Sequence, residues 1–565
     1  MQNIYLYCDG GKFRPEPIYS KVQIVNTKRS ELSSRKLAER KLFVRDATGL
    51  VKEFSTTDTF TWSVCNVPIL LSFVNFMFWT TTSGVLGVNY IVTVLVWMVA
   101  SGVLVLAYYI LGVAMPRTGG DYTWSTRALP PVVGFLMSWL LVTGNFFSEA
   151  TGPYGGIVYL SSGLSLVGKM MNDAGLQAFA GALTQQSWEL FIGIGTLVLA
   201  GIACLFGKRL LKAVIWLIFI MGAAGLLVTL GLLIGVSRGD YVSSFNAISG
   251  MAYDQVLSTA QSSGLAQAAT IGASLSAFPF AVYTLGPQQT MTWMGGEVKS
   301  PQRTLLYGMV GAWAVSGVLW LIMFGLLDST VGTRFVEAMN FLSVNNPSAY
   351  AQTGMPAGVN PSLISLLLLT RNPWLMMIIT LGVFVGNMGW IIITVPVTAR
   401  VLFAWAFDRL APTKFAHVSD RYGTPTYAIS LVVAGSIFLY VILLVNPTVF
   451  VVNGSVLTAI TYTIVGVAAA AFAYTRKDIF ERSPVKAKIA NIPILSILGV
   501  VMVVIYAYMA YESLSNPNIG NLSTPALVTA LGFVILAPIL FYLSAAVRKR
   551  QGIDLKMVFK EIPPE

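Results

Sequence analysis

Glu149 is the one formally charged side chain that the long apolar stretches of this 565-residue chain hold away from a helix end. A charge in the bilayer interior is costly, so an isolated one marks a cavity, a partner or a proton pathway. If its helix stopped at Gly152-Pro153, Glu149 would lie at the outer interface. The apolar run continues through "GGIVYLSSGL" (Gly155–Leu164), which favours a longer helix with Glu149 near its middle. Two other apolar stretches carry residues that free the backbone. "TWSVCNVPILLSFVNF" holds Asn66, Pro68, Ser72 and Asn75, and "LSAFPFAVYTLGPQQT" holds Pro279, Gly286 and Pro287. Proline removes a helix hydrogen bond and clashes with the preceding turn. Unwound backbone in a membrane core offers N–H groups to a carboxylate and carbonyls to an ammonium or a cation. A zwitterion such as an amino acid presents both charges at once.

Other chemistries find little support. No nucleophile–base pair or metal cluster falls in the apolar stretches, and the single histidine, His417, lies in a charged loop. Cys8, Cys65 and Cys204 are scattered, without the spacing of a disulfide framework or a metal site. No ring-forming filter or charge array of a channel appears. No cofactor is implied.

The elements that must position these residues are membrane helices. The chain is 55% hydrophobic and 11% charged, with a mean hydropathy of +0.71, where soluble domains are about a quarter charged. Twelve apolar segments are expected, at roughly 59–80, 87–115, 132–158, 187–206, 213–236, 268–293, 304–327, 374–399, 425–445, 449–474, 491–511 and 524–546. In lipid, open-ended segments satisfy their backbone only as helices. With the N-terminus inside, all but four of the 36 lysines and arginines fall on the inner side. The exceptions are Lys169, Arg238, Arg334 and Arg371. That asymmetry predicts cytoplasmic termini in the plasma membrane, and it accounts for the net charge of +12 without nucleic acid. The expected layout is a basic N-terminal tail (1–57), a ten-helix core (58–474), two peripheral helices (475–546) and a C-terminal tail (547–565). Arg35, Lys36, Arg40 and Lys41 are either contacts for anionic lipid or an ordinary positive-inside tail. A short helix on the outer face is expected at Ser362 to Thr370. The interrupted spans one and six stand five helices apart, the mark of a five-plus-five inverted repeat.

Three inner-loop motifs add a resemblance. "MPRTGGDYTWSTRAL" (Met115–Leu129), "GGEVKSPQRT" (Gly295–Thr304) and "ARVLFAWAFDRLAPTKF" (Ala399–Phe415) follow spans two, six and eight, and "RYGTP" (Arg421–Pro425) precedes span nine. In these the chain resembles the amino acid–polyamine–organocation (APC) transporter superfamily over about 58–546. The resemblance implies an all-α polytopic protein with a LeuT-like fold. It also implies alternating-access transport of amino acids or related amines, coupled to H⁺ or Na⁺. It implies a small-molecule substrate between the two breaks, contacted by Asn66, Val67 and Pro68 on one side. Phe280, Ala281, Tyr283 and Gly286 contribute from the other, with Tyr283 a lid. Glu149 becomes the coupling candidate. Arg117, Gly119, Gly120, Glu297 and Lys299 become gating elements that pair across the inner mouth. Thr394 and Thr398 become the oxygen ligands for Na⁺ if sodium is the coupling ion. The chain departs from the superfamily in three places. Span one lacks a Gly-Ser-Gly-like break, which leaves Leu71–Ser72 as an alternative to 66–68. Gln289 stands where relatives often keep an acid. Lys212 sits at the cytoplasmic end of span five. A neutral amino acid is the expected cargo. A sensor with a transporter-like core, an exchanger and a polyamine transporter are the alternatives.

Overall fold

A computed structural model describes residues 49–266, 268–286, 288–446, 454–519 and 522–562. Arg35, Lys36, Arg40 and Lys41 lie outside the described residues. Among the described residues, eleven helices are long and apolar enough to cross a bilayer. They are span one (Thr56–Thr82, interrupted), two (Tyr90–Ala114), three (Pro131–Met170), four (Gln186–Leu205) and five (Lys208–Gly235). Spans seven (Pro301–Thr330), eight (Pro373–Phe407), nine (Thr426–Val445), ten (Gly454–Thr475), eleven (Ile494–Ser515) and twelve (Thr524–Arg550) complete them.

The sixth expected span is not a continuous helix. It consists of short helices Ile271–Ser276 and Phe278–Thr284, then 3₁₀ turns at Gln289–Trp293 and Gly295–Glu297. Gly286 adopts φ +47°, a left-handed conformation that ends the helix. Span one breaks at the expected place. Helix Thr56–Asn66 opens on a Ser55–Asp58 capping box and stops at Val67, and a second helix restarts at Ile69 after Pro68.

Burial separates centre from rim. In span one 78% of the apolar window is inside the protein and in span eight 61%, against 22% in spans five and twelve. Span eight packs on spans three and five, and span ten on span eleven. Exposed Leu217, Ile220 and Leu227 on span five, with Val318 and Ile322 on span seven, form apolar outer faces that suit lipid tails. Inside, rings interlock, as in the edge-on pair of Trp97 and Trp320 at 5.0 Å.

Span three runs for 40 residues, through Pro153, to Met170. At 1.5 Å per residue it is about 60 Å long, and Glu149 lies near its centre. The short helix expected at Ser362 to Thr370 is present as Pro361–Leu367. It does not lie on the outer face: Leu363, Ile364, Leu366 and Leu367 are fully buried, and Asn340 donates to the Ser362 hydroxyl at 2.8 Å. Its apolar side chains drive it into the protein.

Candidate functional site

The two interruptions meet. A Cβ placed on Gly286 would stand 3.0 Å from Val67 Cγ2, so the turn of segment six closes directly on the gap of span one. Trp62 Nε1 donates to Thr290 Oγ1 at 3.1 Å and ties the inner halves together. Pro68 packs against Gly386 of span eight. The first intrahelical bond after the gap is Ser72 N to Pro68 O. The amides of Ile69, Leu70 and Leu71 therefore begin a helix without intrahelical acceptors. Asn66 and Ala281 are buried and Phe280 is half-buried.

Tyr283 is 55% exposed, and its side chain faces Ser148 of span three. Tyr159 Oη and Asn75 Oδ1 join span three to span one nearby in sequence. Of the expected substrate-binding residues, Val67 and Gly286 stand in contact across the two breaks.

Glu149 turns the other way. Its side chain is 1% exposed and points at spans eight and nine: Thr398 Oγ1 donates to Oε1 at 3.0 Å and Ser436 Oγ to Oε2 at 2.6 Å. Both hydroxyls also reach the carbonyl four residues back, Thr394 O at 2.9 Å and Val432 O at 2.8 Å. Half-buried Asn145 donates to Thr398 Oγ1 at 3.0 Å. No ion pair to Glu149 occurs among the described residues.

Thr394 and Thr398 were the expected sodium ligands. Thr394 donates to Trp390 O at 2.8 Å, and Thr398 serves Glu149 of span three rather than the gap of span one. Both stand on span eight, and both hydroxyls act as donors here.

The inner mouth is shut by pairs the sequence did not reveal. Glu297, wholly buried, meets Arg400 Nε at 3.0 Å and Lys208 Nζ at 2.9 Å. The expected pairing of Glu297 with Arg117 and Lys299 is replaced by this one. Lys299 is exposed and contributes its backbone N–H to Phe54 O, and Arg117 Nη1 points at Pro116 O. The cause is topological, because Arg400 and Lys208 come from spans eight and five, far away in sequence. Burial disfavours the Glu297 carboxylate, but Arg400 and then Lys208 outweigh it and hold the group below the usual carboxylate range. Lys208 also donates to Val51 O, and Phe54 bridges Val298, which seals the N-terminal approach to span one. Gly119 (φ +93°) and Gly120 (φ +45°) make the expected tight turn; side chains there would strike Ala404 and Trp293. That turn starts the buried helix Gly120–Ala128, whose Asp121 and Arg127 sequence reasoning passed over.

An all-α bundle with two facing interrupted helices defines a membrane-carrier architecture. Residues 54–537 match the amino acid permease family model, and the chain belongs to that family. It is 22% identical over 433 residues to the glutamate/serine transporter AimA of Bacillus subtilis (strain 168), covering 74% of this chain and 71% of that protein.

Proposed function

We propose that this permease carries a small amino acid across the plasma membrane by alternating access, with H⁺ as the coupling ion and Glu149 as its carrier. The observation that supports the proton reading is the setting of Glu149: a buried carboxyl between two hydroxyls, without a cation. Ionised, it accepts from both Thr398 and Ser436. Protonated, it donates to one of them, and that hydroxyl turns its hydrogen to its own i−4 carbonyl. The site is satisfied in both states, as a reversible proton carrier requires. Asn145 and Thr398 form a polar path from Glu149 towards the face of span three that carries Ser148.

The substrate proposed is a small neutral amino acid, its charged ends held by backbone at the two breaks and its side chain beneath Tyr283. Serine is the first cargo to test and glutamate the second, since the AimA relative is named for both. The test is uptake by proteoliposomes under an imposed proton gradient or an imposed sodium gradient. Accumulation driven by protons alone supports the account. Accumulation that needs sodium, or none for any amino acid, contradicts it.

A further inference from the structure

Asp121 sits where the helix Gly120–Ala128 meets segment six, and it is completely buried. Tyr108 Oη of span two donates to it at 2.8 Å, Trp293 Nε1 of segment six at 2.6 Å, and the Tyr122 N–H at 2.8 Å. All three donors are neutral. The same seam carries the Gly119 N–H to Trp293 O bond and the bridge between Thr118 and Met294. Asp121 therefore lies inside the contact that must part if the inner half of segment six swings away from the loop after span two.

Among the described residues, the surrounding elements bring no cation to it. Tyr108 faces it from span two, Tyr462 from span ten, and Tyr506 of span eleven packs at a tilt against Tyr462. Span three carries no titratable group between Pro131 and Ser148. At the end of span eight, Asp408 pairs with Arg127 at 2.5 Å and accepts from Tyr122 Oη, while Arg400 is held by Glu297.

We propose that Asp121 binds a proton when the cytoplasmic mouth is shut and releases it to the cytoplasm when the mouth opens, making it a second protonation site, at the inner gate. The proposal rests on the alternating-access reading above. Burial without a counter-ion disfavours the ionised form, and the three donors restore only part of the lost solvation. In the shut state burial pushes the carboxyl from 3.8 up to about 6, against the lowering by Trp293, Tyr108 and the Tyr122 amide. A parted seam hydrates the group and lowers its affinity for the proton. By linkage, the state that binds the proton more tightly is favoured as pH falls. Acid therefore holds the mouth shut, and the near-neutral cytoplasm primes it to open. Over the full difference of about two units the shut-to-open ratio changes by at most about a hundredfold.

The test needs no substrate. In the full-length chain carrying Cys8→Ser and Thr118→Cys, the reporter thiol lies at the seam, and Cys65 and Cys204 are buried. Maleimide labelling is followed from about pH 5 to about pH 8 and normalised to glutathione in the same tube. With Asp121 present, normalised labelling rises several-fold with a midpoint near 6; with Asp121→Asn it stays low throughout. Equal profiles, or faster labelling of Asp121→Asn, overturn the proposal. Trp293→Phe removes one donor to the ionised form and shifts the midpoint upward. If Asp121→Asn does not fold, an unmoved midpoint in Trp293→Phe overturns it instead. Because no flux is measured, a pH-gated seam without amino acid transport would sink the transport reading and leave this one standing.

Discussion

Ser148 and Glu149 are neighbours on span three that serve different sides of it: Ser148 faces Tyr283 of segment six, and Glu149 accepts from Thr398 and Ser436. Successive residues on a helix point about 100° apart, so one turn of span three touches both the substrate space and the scaffold behind it. A proton arriving at Glu149 can thereby bias the packing of spans three, eight and nine without contacting the cargo.

Tyr283→Ala tests the substrate space. The side chain is more than half exposed, so its removal leaves folding nearly unchanged and takes away one aromatic wall. A loss of about 1–2 kcal/mol in binding is expected, roughly tenfold in affinity. Substrate-induced thermal stabilisation measures it; unaltered affinity would place the pocket elsewhere.

Gly286→Ala tests the junction of the two breaks. The substitution combines a left-handed φ with a Cβ 3.0 Å from Val67. A cost of about 1–2 kcal/mol and a matching drop in transport are expected. An alanine variant as active as the parent would mean that the turn relaxes freely.

The inner gate gives a pH prediction with a definite sign. Glu297 is held below its ordinary range in the folded state, so it contributes stability above the unfolded value of about 4.5. That contribution is lost as pH falls through the lower folded value. The difference in melting temperature between the parent and Glu297→Gln should stay level from neutral pH to about 5 and shrink only below that range. Glu297→Gln leaves Arg400 and Lys208 buried without their anion. It should cost about 3–5 kcal/mol. A variant that melts with the parent would show that the pairs are not closed in solution.

How far these features were legible depends on how local their causes are. The breaks at Pro68 and Gly286 could be read directly, since proline and glycine act on their own backbone. Glu149 stood out because charge in an apolar run is self-announcing. Arg400 and Lys208 did not, because each sits at a helix end where a positive charge looks like ordinary inside-loop composition. Only the folded packing of spans five and eight brings them to Glu297. Asp121 was hidden within a loop motif whose glycines drew the attention. Its burial follows from the helix Gly120–Ala128 being tucked beneath spans two, three and ten, which no residue spacing announces. The interruption of segment six was legible from Pro279 and Gly286 as well; the 3₁₀ winding at Gln289–Trp293 and Gly295–Glu297 was not, because no residue spacing announces it.

The central claim is that Glu149 carries the coupling proton, and Glu149→Gln in proteoliposomes tests it most directly. The amide keeps the size of the group and can still bond Thr398 and Ser436, but it cannot titrate. The account predicts that substrate counterflow persists while accumulation driven by a proton gradient disappears. Accumulation at the parental level across the same gradient would contradict it.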